Sequence, residues 1–382
     1  MAIMFGETGM RTRTSSYQAL KNGSSPNPPL LCAETTVAIS RSFSQDKMWL
    51  NGKEQSMDNP RIQNCLREIR RRVRKRKTLE ENSTEQEDLL NCHIHICSKN
   101  NFPTAAGLAS SAAGYACLVF TLGKLFGVDG DLSEIARQGS GSACRSMYGG
   151  FVQWCTGDEE NGTDSVAQQV ASEKHWPSLR ILILVVSNQK KGTSSSQGMQ
   201  QSVRTSELLK FRSEKVIPRQ VNDITQAIKE KDFSKFAEIT MKDSNQLHAI
   251  CQDTFPPIKY MNDTSWGIVE LVHKYNSFCG ETKVAYTFDA GPNACLYLLE
   301  PCVPEVISLI RYCFPSSSDG KHFITGLPVQ SVALSQELIQ GLQFTPCPDG
   351  LQYIIHTQVG SGPELVDEQM LDANGLPKTK CT

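Results

Sequence analysis

Pro103-Thr104-Ala105-Ala106-Gly107-Leu108-Ala109-Ser110-Ser111-Ala112 is a run of small and hydroxyl-bearing residues between two segments of different periodicity. Before it, Cys92-His93-Ile94-His95-Ile96-Cys97 alternates, as a strand does. After it, Ala112–Phe126 is rich in Ala, Leu and Phe and reads as a helix. Strand, glycine-containing loop and helix N-terminus together make a phosphate-binding geometry. Backbone N–H groups point outward, the helix dipole favours an anion, and small side chains permit close approach. Taken alone, such a loop also serves as a tight structural turn.

Two further loops have related chemistry. Gln138-Gly139-Ser140-Gly141-Ser142-Ala143-Cys144-Arg145-Ser146-Met147-Tyr148-Gly149-Gly150 gathers glycine, hydroxyls and one arginine. Phe288-Asp289-Ala290-Gly291-Pro292-Asn293-Ala294 puts a carboxylate at the end of a strand-like run. Together the three stretches resemble the GHMP superfamily of small-molecule kinases and, within it, the diphosphomevalonate decarboxylase family. The resemblance runs from about Val37 to about Gly362 and rests on SGSACRS, YGGF and YTFDAGPNA in combination. It implies an α+β, two-lobed GHMP-kinase-like fold. Its cleft lies between an N-terminal ribosomal-protein-S5-like domain and a C-terminal α/β domain.

Working outward, Thr35–Ser40 and Lys47–Leu50 read as strands, the latter followed by the hairpin dipeptide Asn51-Gly52. From Arg61 to Lys77 the chain is strongly basic. Ile62, Leu66, Ile69 and Val73 recur there at helical spacing, so an amphipathic helix with a solvated charged face is expected, not a nucleic-acid patch. Thr78–Asp88 reads as a surface loop. His93 and His95 share a strand face, but no third ligand lies near in sequence, and a structural role is expected of them.

Arg180–Ser187 is a nearly continuous apolar strand of the kind covered on both faces. Polar Asn188–Gly198 follows, with a helix expected from Met199 and a domain boundary at Ser187/Asn188. Helices are expected over Asp223–Glu230, Phe233–Ile250, Trp266–Phe278 and Val303–Cys313. Strands are expected over Thr282–Phe288, Ala294–Leu299 and Tyr353–Gln358. This mixture points to α+β organisation. The expected division is 1–31 as a disordered or non-family segment, 32–187 as an N-terminal ATP-binding domain and 188–382 as a C-terminal domain. Met1–Leu31, rich in Gly, Ser, Pro and Asn without apolar period, reads as a tail.

The bulk properties exclude several classes. A chain of 382 residues with formal net charge −1 has no general attraction to nucleic acid or anionic membrane. No run approaches the ~20 apolar residues of a membrane span. Fourteen cysteines lie scattered without CxxC spacing, which suits reduced thiols in the cytoplasm.

Phosphoryl chemistry depends on positioning and on neutralising phosphate charge. At the end of its strand, Asp289 can orient or deprotonate a hydroxyl; it can equally cap its turn. Arg145 can hold a carboxylate or phosphate bidentately, or form a surface ion pair. The resemblance decides both: it implies that Asp289 is the catalytic carboxylate and that Arg145 holds the substrate's carboxylate. It further implies that Gly107, Leu108, Ala109, Ser110, Ser111 and Ala112 wrap the ATP phosphates, with Ser110 and Ser111 near magnesium (Mg2+). Ser140, Gly141, Ser142, Ala143 and Cys144 would line the substrate, and Ser195, Ser196 and Arg61 would reach its diphosphate.

The implied reaction is the ATP-dependent decarboxylation of (R)-5-diphosphomevalonate to isopentenyl diphosphate, ADP, phosphate and carbon dioxide, by a cytoplasmic homodimer of the mevalonate pathway serving isoprenoid and sterol synthesis. One departure stands out. The family's Ala-Pro-x-Asn-like and Lys-Tyr-Trp-Gly-Lys stretches have no match in Met1–Thr36. That implies a missing pocket wall and an open sheet edge. The alternatives are a kinase that stops at phosphorylation and a catalytically impaired isoform.

Overall fold

The computed structural model describes residues 10–16, 31–77, 90–100, 110–187, 192–317 and 323–378. Two compact units emerge. One is made of 10–102, 109–169 and 360–382, and the other includes 170–359. The boundary therefore precedes Leu179–Val185, where Ser187/Asn188 was expected, and the chain's last stretch returns to the first unit. The reason is hydrogen bonding: Leu179–Val185 pairs on both sides with strands of the second unit.

In the first unit the described residues form a six-stranded sheet. Its order is Glu364–Leu365, Met10–Ser16, Leu31–Ser40, His93–Asn100, Lys47–Leu50 and Lys53–Gln55. Asn51 and Gly52 both have positive φ, which fits the turn that joins the last two strands. His93–Asn100 is central, paired antiparallel to Leu31–Ser40 and parallel to Lys47–Leu50. Both of its faces are covered, so the alternation in its sequence separates two buried environments.

On one face Ile94 and Ile96 meet the helices Pro60–Lys77, Ser110–Leu125 and Ser133–Gly139. Ile62, Leu66, Ile69 and Val73 are the buried stripe of the basic helix. Of its described cations Arg67, Arg71, Arg74 and Lys75 are exposed, and Arg71 pairs with Glu68 at 2.6 Å and Arg72 with Glu134 at 2.6 Å. On the opposite face His95 and Cys97 lie under the returning segment around Met370 and Leu371. His95 stacks on Phe43 at 3.8 Å, and its ring nitrogens meet the carbonyls of Gly375 (2.7 Å) and Gln45 (3.2 Å). That accounts for a histidine in the core.

Met10–Ser16 differs from the tail expected over Met1–Leu31. It is a strand in parallel register with Leu31–Ser40 from Met10↔Leu31 to Ser16↔Val37, and it pairs with Glu364–Leu365 on its other side. The edge expected to be open is thereby closed, because an extended backbone can satisfy a ladder whatever its side chains are. The rest of that segment lies outside the described residues, as does the loop expected over Thr78–Asp88.

The second unit is a five-stranded sheet in the order Ile324–Gly326, Tyr353–Gln358, Leu179–Val185, Ala294–Leu299 and Val284–Phe288. Leu182, Leu184, Leu296 and Leu298 pack with helices Asp263–Cys279 and Val303–Cys313. Helix Phe233–Asp253 carries Phe236, which meets Tyr297 edge-on at 5.4 Å. Each large apolar side chain so enclosed stabilises by about 1.5–3 kcal/mol. Among the described residues no helix is long and apolar enough to cross a membrane.

The return of the chain depends on one close approach. A Cβ on Gly149 would lie 2.4 Å from both the carbonyl carbon and the oxygen of Ser361, and Gly150 N–H donates to Gly360 at 2.9 Å. Backbone cannot yield as a side-chain tip does. Gly149→Ala is therefore expected to destabilise by about 1–3 kcal/mol and to expose 360–378 to protease, as denaturant titration and limited proteolysis would show.

Candidate active site

The arginine loop folds as a 3-10 helix, Gly141–Met147, directly after Ser133–Gly139. Three attachments hold it. Tyr148 donates its hydroxyl to Asp131 at 2.9 Å, Gly149 and Gly150 sit on the returning chain, and Trp154 on the next strand donates its indole N–H to Ser165 at 3.0 Å. The Trp154 ring in turn covers Gly141, whose Cβ would meet it at 3.1 Å.

This packing buries Ala143, Cys144 and Arg145, and leaves Ser140, Gly141 and Ser142 partly open. Burial pushes the Cys144 thiol up to about 11, and its S–H turns back to Gly141 O at 3.1 Å, so it is an inert wall. Arg145 is 2% exposed, and its Nε and Nη2 have no partner among the described residues. Its guanidinium lies 5.9 Å from the Trp154 ring, a cation–π contact that leaves the hydrogen-bonding edge unused. Nε and Nη2 form the side-on edge that takes a carboxylate with two parallel bonds. A buried cation with two donors unpartnered among the described residues is unfavourable, and this edge has the geometry to take an anionic group.

Nearby in the same unit, helix Ser110–Leu125 begins two residues earlier than expected. Asn100 donates to Ser110 Oγ at 2.6 Å, while its own Oδ1 is buried and without partner among the described residues. No acidic residue occupies the first turn. Ser110 and Ser111 thus stand at an N-terminus that suits phosphate, and Ala112 is buried beneath them. Gly107, Leu108 and Ala109 lie outside the described residues. Arg61 is exposed in the first turn of Pro60–Lys77, with its N–H on Asn59 Oδ1 at 3.0 Å.

In the second unit Asp289 follows Val284–Phe288 on a loop pinned from four sides. Phe288 N–H donates to Ser244 Oγ (3.0 Å) and Gly291 N–H to Asp289 O (2.7 Å). Ser265 Oγ donates to Pro292 O (2.8 Å), and Asn293 Oδ1 accepts from Val186 N–H (2.8 Å) and Ser187 N–H (3.0 Å). The carboxylate is partly exposed. Its negative charge is felt at His248, Cys251 and Tyr260. Burial holds the His248 imidazole below its usual range, opposed by the Phe288 carbonyl and by Asp289; it is a neutral neighbour.

Ser195 and Ser196 open the helix Ser195–Thr205, which starts four residues before the expected Met199. A capping box between Ser194 and Gln197 sets that start. Both serines are partly exposed in its first turn. The candidates thus divide between the units: Arg145, Ser140–Cys144, Ser110 and Arg61 belong to the first, and Asp289, Ser195 and Ser196 to the second.

Sequence reasoning did not find Trp154, Asn100, Asn293, His248 or Tyr260. The S-x-x-Q spacing of Ser194–Gln197 was a readable signal for the helix start. The others become neighbours only through tertiary folding.

Residues 20–167 match the family model for the diphosphomevalonate decarboxylase-like N-terminal domain, and 181–366 match the mevalonate 5-diphosphate decarboxylase C-terminal domain. The first match begins upstream of Val37, where the resemblance in the sequence begins. The diphosphomevalonate decarboxylase of Rattus norvegicus is 56% identical over 351 residues, covering 90% of this chain and 86% of the relative. An X-ray structure of mevalonate 5-diphosphate decarboxylase at 2.3 Å has TM-score 0.76 and 42% identity, with 90% of each chain covered. A structure of MDDEF in complex with MVAPP, AMPPCP and magnesium has TM-score 0.63 and 28% identity, covering 74% of this chain and 82% of that one.

Arg145→Met replaces the idle buried cation by an apolar chain of similar length. The ligand-free protein is expected to gain on the order of 1–3 kcal/mol in denaturant titration; an equal loss would mean that the guanidinium already has a structural partner.

Proposed function

The chain belongs to the diphosphomevalonate decarboxylase family, and we infer from that premise how its own residues carry out the reaction. The reaction is ATP-dependent decarboxylation of (R)-5-diphosphomevalonate to isopentenyl diphosphate, ADP, phosphate and carbon dioxide. The observation that carries the assignment of roles is the buried Arg145 edge with two unpartnered donors. A kinase that stopped at phosphorylation would have no departing carboxylate to hold there.

Asp289 accepts the proton of the substrate's tertiary hydroxyl as that oxygen attacks the γ-phosphorus of ATP and ADP departs. The new phosphate ester then breaks at its C–O bond, and inorganic phosphate leaves with the electron pair. Positive charge develops at C3. The electrons of the bond to the carboxylate carbon move in to form the alkene, and carbon dioxide leaves as a neutral molecule. Arg145 fixes the carboxylate so that this bond lies in the required orientation. The buried Ala143 and Cys144 beside it help to keep water from the cationic carbon.

Ser140, Gly141 and Ser142 line the substrate. Arg61, Ser195 and Ser196 hold its diphosphate, the serines from a helix N-terminus. The N-terminus at Ser110, Ser111 and Ala112, with Gly107–Ala109 before it, binds the ATP phosphates. Its donor set, free of acidic neighbours in the first turn, fits that group, and Ser110 with the Asn100 oxygen beside it fits magnesium. When bound, magnesium neutralises phosphate charge. The relative MDDEF, in complex with AMPPCP and magnesium, supports this reading. A cytoplasmic homodimer serving sterol and isoprenoid synthesis belongs to the same proposal and rests on the family alone.

Asp289→Asn keeps the size and removes the base. The expected result is a fall in kcat of roughly 10²–10⁴ with little change in the KM for ATP, measured as ADP and isopentenyl diphosphate released together. An unchanged kcat would remove Asp289 from the chemistry.

A further inference from the structure

We propose that Tyr260 is a positioning residue for the diphosphate end of the substrate, joining the start of the Ser195–Thr205 helix to the segment beside Asp289. The inference rests on the reading above and adds a residue to it. Tyr260 donates its hydroxyl to Ser194 O at 3.4 Å. A Cβ built on Gly198 would lie 2.5 Å from that same hydroxyl oxygen. Ser194 is the cap of the helix whose first two residues are Ser195 and Ser196. The phenol thus occupies the place that a side chain at 198 would take, and it touches the turn from which both serines project.

The tyrosine is itself held. Its segment is fastened to the same helix at the other end, where Phe255 N–H donates to Thr205 Oγ1 at 2.9 Å and Ser202 Oγ meets Thr254 Oγ1 at 2.7 Å. Ile258 N–H donates to Cys251 O at 2.8 Å, which closes the loop between them. Helix and loop therefore form one clamped pair, and the phenol is its contact nearest the helix N-terminus.

The hydroxyl also lies within the electrostatic reach of Asp289. Burial first, then the charges of Cys251 and Asp289, raise the Tyr260 hydroxyl to about 12, so it remains protonated and keeps its donor through the working pH range. His248, which also feels the charge of Asp289, is kept neutral by burial. Small movements of this ring shift the two serines relative to Asp289, and so the diphosphate relative to the hydroxyl that reacts.

Removing only the hydroxyl tests this. In Tyr260→Phe the KM for 5-diphosphomevalonate is expected to rise about fivefold, with kcat within twofold and the KM for ATP unchanged. Gly198→Ala should raise the same KM by displacing the hydroxyl. Because the clash is with that oxygen, the double variant should fall back to the KM of Tyr260→Phe, which rescues whatever Gly198→Ala loses beyond that level. Unfolding midpoints taken alongside show whether either variant is loosened overall; the rescue by the double variant reads the contact even if Gly198→Ala alone is unstable. A Tyr260→Phe enzyme with unchanged KM, or one that loses kcat with both KM values intact, overturns the inference. Absence of carbon dioxide from the unsubstituted enzyme would instead overturn the functional reading beneath it.

Discussion

Arg145 is enclosed by protein, and its Nε and Nη2 have no hydrogen-bond partner among the described residues, a condition unfavourable for folding that the packing of the first unit maintains. The 3-10 turn cannot swing the side chain outward, because Tyr148 is tied to Asp131 and the glycine pair is locked on the returning chain. Trp154 meets the cation through its ring face and supplies no acceptor. An anion brought from outside would relieve that cost, and in the proposed reaction this would direct binding energy at one functional group.

The same logic explains why the chain's last stretch matters. Residues 360–378 do more than cover His95 and Cys97. They hold the glycine pair that ends the arginine loop, so the sheet, the returning segment and the loop are stabilised together. In the second unit the corresponding device is the loop after Val284–Phe288, where Ser244, Ser265 and Asn293 fix the backbone on both sides of Asp289. The base role proposed for Asp289 would require it to be held within a fraction of an ångström of its proton, and a loop with free backbone groups would not achieve this.

Much of this was legible in the sequence. Lys47–Leu50, Ala294–Leu299, Val303–Cys313 and Tyr353–Gln358 stand where their patterns put them, because each pairs a strong local period with clear flanking turns. The motifs also placed Asp289 directly after a strand, as the structure has it. The burial of Arg145 was not legible, since it depends on Trp154 and on a segment more than 200 residues away in sequence. Met10–Ser16 was also missed: its hydroxyls and arginines carry no apolar period, and its strand character comes from backbone pairing on two sides. The domain boundary moved for a related reason, as an apolar strand shows that it is buried but not in which sheet.

The most direct measurement of the central claim is calorimetric binding of 5-diphosphomevalonate to the unsubstituted protein, compared with an analogue whose carboxylate is replaced by a carboxamide. The diphosphate is retained, so only the group facing Arg145 changes. Charged hydrogen bonds of this kind contribute about 1.5–3 kcal/mol, and the account predicts an affinity loss of about 10- to 100-fold. Equal affinities would contradict it, because the buried guanidinium would then not be held for the carboxylate.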